Sequence, residues 1–509
     1  MKKFLALLSV FLLNFQQAYA FNLDSAISKC VTPVSNKVSA VMLCSINIFG
    51  TQVPVIILWI LTAGIFFTLY FRGIAIWGVK HTFDLLKKPQ DNNAGGEISP
   101  YGALIAALCG TVGLGTIAGV AISISIGGPG TAFWIMFGAI IGMALKFAEV
   151  SLSLKYRKIN ADGSISGGPM HFIAHGLTRH KMRWLGQPLA VIFAFVCIGG
   201  ALTGGNMIQI NQTTMQIINI AGGETGFLHG YNWLIGLICA ILMGLIIIGG
   251  IKCITKVAMT AVPFMVYLYL AAGIVILIAN WHSIPHACYV AIHEAFLPHS
   301  VKGGVIGLII LGMRRSVQTN EAGTGSAPIA YATAQTDEPI SQGFIALLEP
   351  FLTGLVCMLT ASIIITTGAY AHYSNGVSGI ELTSSAFETT FPWFKYILSV
   401  VVILFALTTL ITWGYYGQKA WNYIFGEGKK RTLIYQLIFC AFTVLGSVMN
   451  VKTIIDLTDS MMLGMAVPNC LAMFFLAKEL KIDLIKYCKK HSIALGFNKC
   501  WFRKPIEED

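Results

Sequence analysis

The sequence predicts an all-α polytopic membrane protein of about eleven spanning helices, one leading helix followed by two inverted halves of five. Three observations carry this. Of the 509 residues, 56% are hydrophobic and only 11% are Asp, Glu, Lys or Arg, less than half the roughly 25% charge of a soluble protein. Mean hydropathy is +0.73 over the whole chain; a surface facing water cannot be built from so few charges, whereas one facing lipid needs none. Apolar runs that fit a ~30 Å hydrocarbon core recur along the chain, and two of them, at corresponding positions of the two halves, are interrupted by glycines. Soluble enzymes, nucleic-acid binders and disordered chains are poor fits to this composition.

The first twenty residues read as a cleavable signal peptide: Lys2 and Lys3, an apolar stretch from Phe4 to Phe15, then Ala18-Tyr-Ala20. An uncleaved anchor is the alternative. Residues 21–51 form a polar segment, periplasmic if the protein sits in a Gram-negative inner membrane. Cys30 and Cys44 could pair there in an oxidising compartment. The apolar runs fall at 53–71, 102–126, 131–152, 187–212, 232–249, 257–279, 301–313, 341–368, 394–413, 432–449 and 454–477. The transporter domain so defined covers 52–478, with core repeats at about 100–280 and 301–478. Residues 479–509 are a basic cytoplasmic tail. The segment 414–431 and the tail read as amphipathic helices at the membrane surface.

Charge placement orients the chain. With the N-terminus outside, 26 of the 34 basic residues fall on the inside, Arg314 and Arg315 among them, against five outside. That is the positive-inside pattern, so the net charge of +12 is a topology device and needs no nucleic-acid partner.

The second span holds Gly110, Gly113, Gly115 and Gly119, and the seventh holds Gly303, Gly304, Gly307 and Gly312. Helix is the default in lipid because backbone groups must be satisfied internally. The glycines therefore serve either close helix packing or an unwound segment whose free amides and carbonyls bind ions. Broken helices at matching positions of inverted halves point to a secondary transporter. The order of glycines in the second span mimics a dinucleotide fingerprint but lacks a preceding strand and a following acid.

Polar residues at depth are the candidate ligands. Asn206 and Gln209 share a face of the fourth span and suit a hydrogen-bonding solute or act as interhelical glue. Thr408 and Thr409 supply hard oxygens, unless both bond back to their own helix. Trp413 lies one turn on from Thr409. Lys146 and Glu149, three apart, read as a structural pair. Glu349 has no basic residue a turn away, and Asp456 and Asp459 lie near the outer end of the last span, where they touch water. His171 and His175 have i,i+4 spacing without the further ligands a metal needs. No nucleophile–base pair falls inside a span, which argues against an enzyme. A channel, or a sensor that binds without transporting, is the remaining rival.

The ordered segments Ile98-Ser-Pro-Tyr-Gly-Ala-Leu, Gly127-Gly-Pro-Gly, Lys146-Phe-Ala-Glu149, Gly167-Gly-Pro-Met170, Asn320-Glu-Ala-Gly323, Gly325-Ser-Ala-Pro328, Phe405-Ala-Leu-Thr-Thr409, Trp413-Gly-Tyr-Tyr-Gly417 and Pro468-Asn469 closely resemble the alanine/glycine:cation symporter family over about 52–478. The resemblance implies the LeuT-like architecture of two inverted five-helix repeats, here after one extra helix. It also implies sodium-coupled import of a small neutral amino acid. Carried over by position, Leu114, Gly115, Thr116, Asn206, Gln209, Thr409 and Trp413 would bind the substrate. The Val112 and Phe405 carbonyls with the Thr408 and Thr409 hydroxyls would bind Na⁺, and no organic cofactor is implied. Thr116 stands where the family usually has Asn, Ile135-Met136 where it has Met-Trp, and Thr353 where it has Asp. Glu349, one turn before Thr353, could replace that lost charge and permit proton coupling.

Overall fold

The computed structural model describes residues 32–494 apart from 34, 49, 88–94, 161–162, 229, 248–249, 298–303 and 374–378. The signal peptide, Cys30 and with it any pairing to Cys44, Gly303, and the tail beyond 494 lie outside the described residues.

Each of the eleven apolar runs corresponds to one helix or one broken helix. A hairpin of β1 (Ser45–Ile48) and β2 (Thr51–Pro54) leads into α1 (Val55–Tyr70), which bends by 69° into α2 (Ile74–Lys87). The second run is α3 (Pro100–Thr111) and α4 (Leu114–Gly127), bent by 52° at the break between them. Ser99 opens α3: its hydroxyl accepts from the Gly102 amide at 2.9 Å, and Pro100 follows as the first helical residue, both standard start signals. Next come α5 (Thr131–Lys155), the short α6 (Pro169–Arg179), and α7 (Arg183–Leu202) with α8 (Ile208–Ile220) joined by a π turn at Thr203–Met207. A short β3 (Lys158–Ile159) and β4 (Ile165–Ser166) hairpin lies between α5 and α6. Then follow α9 (Asn232–Ile247), α10 (Gly250–Ala279) and the short α11 (Ile284–Phe296).

The second half begins with α12 (Gly304–Asn320) and, after seven residues without helix, α13 (Pro328–Tyr331). It continues through α14 (Pro339–Ala346), α15 (Leu348–Thr366), α16 (Ile380–Glu388), α17 (Phe394–Phe425), α18 (Lys429–Val448), α19 (Val451–Gly464) and α20 (Ala466–Lys490). Among the described residues seven helices are long and apolar enough to cross a membrane, nine when each bent pair is one span; α9 and α12, at 16 and 17 residues, complete the eleven.

Three features depart from the sequence reading. The expected surface helices at 414–431 and after 478 are continuations of α17 and α20, which run to Phe425 and Lys490. The glycines of α17 permit close packing and do not stop the helix: a Cβ on Gly417 would lie 2.0 Å from the Tyr435 hydroxyl. Second, α12 runs unbroken through Gly307 and Gly312, and the break falls later, at Glu321–Ala327. Third, Arg314 and Arg315 lie within α12, which continues to Asn320, rather than in a segment that follows the span.

The helix α5 is the axis of the bundle. Its side chains from Met143 to Leu154 are all buried, including Lys146 and Glu149, as expected of a helix surrounded by other helices. It packs on α1, α12, α14 and α15. This arrangement places the break of α3/α4 and the break of α12/α13 in the interior.

Candidate functional site: the two helix breaks

At the first break, Val112 leaves helical geometry (φ −84°, ψ 79°) and Gly113 is extended (φ −127°, ψ −161°). Any residue can adopt that backbone; what demands glycine is space. A Cβ on Gly113 would lie 2.4 Å from Thr409 Oγ1 and 3.3 Å from Gln209 Oε1. Both neighbours hold the broken segment in place. The Leu114 amide donates to Gln209 Oε1 at 3.1 Å, Gln209 Nε2 donates to the Gly204 carbonyl at 3.1 Å, and Thr409 Oγ1 donates to the Cys109 carbonyl at 3.0 Å. Thr116 turns inward and donates to the Gly113 carbonyl at 2.7 Å.

At the second break the chain uses left-handed backbone. Glu321, Gly323 and Gly325 have φ of 54°, 88° and 83°. Asn320 begins the turn by accepting from the Ala322 amide at 2.9 Å, and the Thr324 hydroxyl donates to the Glu321 carbonyl at 2.8 Å. Asn469 on α20 anchors the segment, donating to the Gly323 carbonyl at 2.8 Å and to Glu149 Oε1 at 2.6 Å.

A cavity of about 50 Å³ lies between the breaks. Gly113, Leu114 and Gly115 line it from the first, Gln318 and Glu321 from the second, and Gln209 and Trp413 from α8 and α17. The site residues read from sequence thus divide. Leu114, Gly115, Gln209 and Trp413 line the cavity, and Thr409 abuts Gly113. Thr408 bonds back to the Leu404 and Phe405 carbonyls at 2.9 and 3.1 Å, which leaves its lone pairs beside a predicted partner ligand, Phe405. Thr116 does not line the cavity, since its side chain folds onto its own turn. Asn206 is not brought in: it donates to the Phe439 carbonyl at 2.7 Å, the interhelical role left open above.

The π turn explains this split. The extra residue it inserts sets Gly204 and Gly205 against Met462 and Trp413, where a Cβ would approach either within 2.2 Å. Asn206 and Gln209, which would share one face of a regular helix, then point to different neighbours.

The charges at depth are paired differently from the sequence reading. Lys146 Nζ lies 3.3 Å from Glu349 Oε1, both fully buried, while Glu149 is taken by Asn469. Glu349 therefore has a basic partner, more than 200 positions away in sequence. Asp459 is buried as well and pairs with Arg314, while Arg315 Nε donates to Ser123 Oγ at 2.9 Å. Glu321, which the sequence reading did not assign to the site, accepts from Trp413 Nε1 at 3.0 Å and from the Ser326 hydroxyl.

Different contacts join the helices at the two ends of the bundle, the end carrying most of the Lys and Arg residues and the end opposite. At the basic end, Ile98 pairs with Ala334 as a parallel bridge, and Arg157 donates to the carbonyls of Gly95, Ala332, Ala334 and Thr336. One guanidinium thus joins the chain entering α3 to the chain leaving α13. At the other end the Arg314–Asp459 pair joins α12 to α19. His171, on α6 outside the spans, is pushed down to about 4 by burial, and then by His175, Lys419 and Lys158. Among the described residues no group of three or more His, Cys, Asp or Glu could hold a metal ion.

Residues 36–496 match the profile of the sodium:alanine symporter family. The chain is a member of that family. It is 35% identical over 428 residues to the sodium/alanine symporter AgcS of Methanococcus maripaludis, covering 83% of this chain and 92% of the relative. It is 32% identical over 438 residues to the probable sodium/glutamine symporter GlnT of Bacillus subtilis, covering 86% and 88%. Among solved structures, MhsT in complex with L-phenylalanine superimposes with a TM-score of 0.56 at 15% identity, covering 75% of this chain and 89% of that one. The fold of this symporter-family chain is the expected LeuT-like all-α arrangement.

Proposed function

We propose that this family member imports a small neutral amino acid, alanine or glycine, with sodium, by alternating access at the two breaks. The observation that supports this best is the opposition of two helix ends across Gly115. The N-terminus of α4 presents amides, and the C-terminus of α12 presents carbonyls. A Cβ on Gly115 would lie 3.9 Å from the Gln318 carbonyl and 3.7 Å from Thr319 Cγ2. Helix N-termini favour anions and C-termini favour cations, so the pair fits the carboxylate and the ammonium of one zwitterion. The Gly115 amide meets the carboxylate, and Gln209 holds the adjacent Leu114 amide in position.

Size selects the side chain. About 50 Å³, roughly three to five waters, walled by Trp413, favours a small side chain. Discrimination by size alone amounts to about 1–3 kcal/mol per methylene.

Sodium, the co-substrate, is held by the Val112 and Phe405 carbonyls and the Thr408 and Thr409 hydroxyls. All are hard oxygens, and none needs deprotonation. Thr409 also bonds the Cys109 carbonyl, one turn before the break that binds the substrate. Each ligand therefore orders the segment the other uses, and the coupling is reciprocal. Transport then requires the Arg157 clamp and the Arg314–Asp459 pair to open in turn. We place the basic end in the cytoplasm of a bacterial cell, with the protein in the inner membrane, the N-terminus periplasmic and the C-terminus cytoplasmic.

Uptake of radiolabelled L-alanine and glycine into proteoliposomes tests the reading. Saturable uptake under a sodium gradient is the expected result. Uptake driven by a proton gradient alone would move the coupling to Glu349, and the Glu349→Gln variant would then lose it. Binding without uptake would make the protein a sensor.

A further inference from the structure

Three buried carboxylates lie near the breaks, and two of them have assigned partners: Glu349 pairs with Lys146, and Glu149 is bonded by Asn469. Glu321 differs from both. It is fully buried (1% exposed) and lines the cavity. Its two oxygens accept only from neutral donors, the Trp413 indole and the Ser326 hydroxyl. Among the described residues no Lys or Arg lies within ion-pair distance of it: Lys146 is committed to Glu349, and Arg315, which also lines the cavity, turns its Nε to Ser123 Oγ. A buried carboxylate without a cation is costly, and each of these oxygens keeps a lone pair to offer.

Its backbone is unusual too. Glu321 has φ 54°, a left-handed conformation that costs a side-chain-bearing residue roughly 1–2 kcal/mol and persists where the surroundings enforce it, often at ligand sites. The same end of the cavity holds a second unused acceptor: Gln318 Oε1 is buried and accepts from no donor. The opposite end is the amide terminus of α4.

We propose that Glu321 is the receptor for the substrate's α-ammonium group. Its carboxylate, with Gln318 Oε1 and the α12 carbonyls, supplies the acceptors for three N–H donors, and the ammonium supplies the cation that the carboxylate lacks. Trp413 and Ser326 aim the carboxylate. The site therefore selects for a charged amine, independently of how it selects for side-chain size. This rests on the amino-acid transport reading and adds the residue that recognises the amine.

The experiment is competition against radiolabelled L-alanine on purified full-length protein in sodium buffer. The competitors are L-alanine, L-lactate, which carries a hydroxyl where alanine carries its ammonium, and propionate, which carries neither. Wild type is expected to bind both analogues at least about 1000-fold more weakly than alanine, as sites built around a substrate hydrogen bond do. In Glu321→Gln, alanine affinity should fall by about 100-fold or more and the gap to lactate should shrink below about tenfold. Glu321→Asp keeps the charge and should keep the gap even where alanine binds more weakly; it decides the matter if the Gln variant does not fold. A wild type that accepts lactate as readily as alanine, a Gln variant with the gap intact, or an Asp variant that loses it would each overturn the assignment. Failure of wild type to bind alanine or glycine at all would instead remove the transport reading on which it stands.

Discussion

Between α3 and α4 the helix is interrupted for two residues, Val112 and Gly113, whereas between α12 and α13 seven residues, Glu321 to Ala327, run without helix. The short break uses glycine for room: its backbone is ordinary, and the constraint is the approach of Thr409 and Gln209. The long break uses glycine for conformation, at φ 88° and 83°, and tolerates a strained glutamate beside them. One presents amides held by side chains from α8 and α17. The other presents carbonyls and a carboxylate, tied down by Asn469 from α20. A glycine in a membrane helix is thus no single signal, and its meaning is set by what a Cβ would meet and by the sign of φ.

The largest expected effect tests what lies between the breaks. The Lys146–Glu349 pair is buried beside Thr111, the last residue before the first break, and Tyr331, just past the second. Lys146→Met strands Glu349 without its cation and should cost about 3–5 kcal/mol, read as a lowered unfolding midpoint in detergent. Lys146→Met with Glu349→Met removes both charges and should recover most of that loss. If the double variant is as unstable as the single, the two residues are not acting as a pair.

Next is the long break itself. Gly325→Ala would put a Cβ 2.4 Å from the Pro169 ring and 2.9 Å from Asn469 Oδ1, at a φ of 83° that alanine resists. A destabilisation of about 2–4 kcal/mol is expected. Gly312→Ala makes a useful contrast in the regular part of α12. Its Cβ would lie 2.3 Å from Trp134 Cβ, so it should also unfold more easily, but the protein that remains folded should bind alanine with unchanged affinity.

That contrast explains how much could be read from sequence. The eleven runs, the first break, and the cavity positions of Gly115, Gln209 and Trp413 follow from hydropathy, glycine placement and the resemblance together. The second break was expected within 301–313 because Gly304, Gly307 and Gly312 cluster there, yet in α12 Gly312 packs against Trp134. The signal that was present is the succession Gly323, Gly325 and Pro328 after a span too short to cross alone, which is turn punctuation. Glu321 sits in that punctuation. The partners of Lys146, Asp459 and Asn206 could not be read, because pairing across a bundle depends on which helices touch. The π turn at Thr203–Met207, which holds Asn206 while α8 holds Gln209, left no mark beyond Gly204-Gly205.

The short break yields a smaller effect on stability and a larger one on transport. Gly113→Ala keeps its ordinary backbone, but its Cβ would lie 2.4 Å from Thr409 Oγ1 and 3.3 Å from Gln209 Oε1, so these side chains must shift, at about 1–3 kcal/mol. In the proposed reading the displaced Thr409 is both a sodium ligand and the tie to the Cys109 carbonyl. The sodium concentration for half-maximal alanine uptake should therefore rise about tenfold or more, measured in proteoliposomes over a sodium titration. Unchanged sodium dependence would mean that Thr409 does not hold the ion.

The smallest effect lies where the long break reaches the basic end. Glu338 follows α13 by a short loop and accepts from Lys490 and from His491 Nε2, the latter at 2.9 Å, at the end of α20. Burial pushes its carboxyl up, but the bonds from Lys490 and His491 outweigh this and hold it below the usual carboxylate range. A depressed folded value means that the pair stabilises above the ordinary carboxylate pKa of about 4.3, and that the contribution is lost as pH falls through the folded value. Glu338 is 30% exposed, so solvent screens the pair and its worth is below about 1 kcal/mol. Glu338→Gln should lower the unfolding midpoint by about 1 °C or less at pH 7, an effect that persists down to about pH 4.5 and shrinks as the pH falls further, through the depressed folded value. The Ser99 cap at the start of α3 has no titratable group. A Ser99→Ala variant should lose stability equally across that pH range, and equal pH dependence in the two variants would show that the Glu338 contact is not electrostatic.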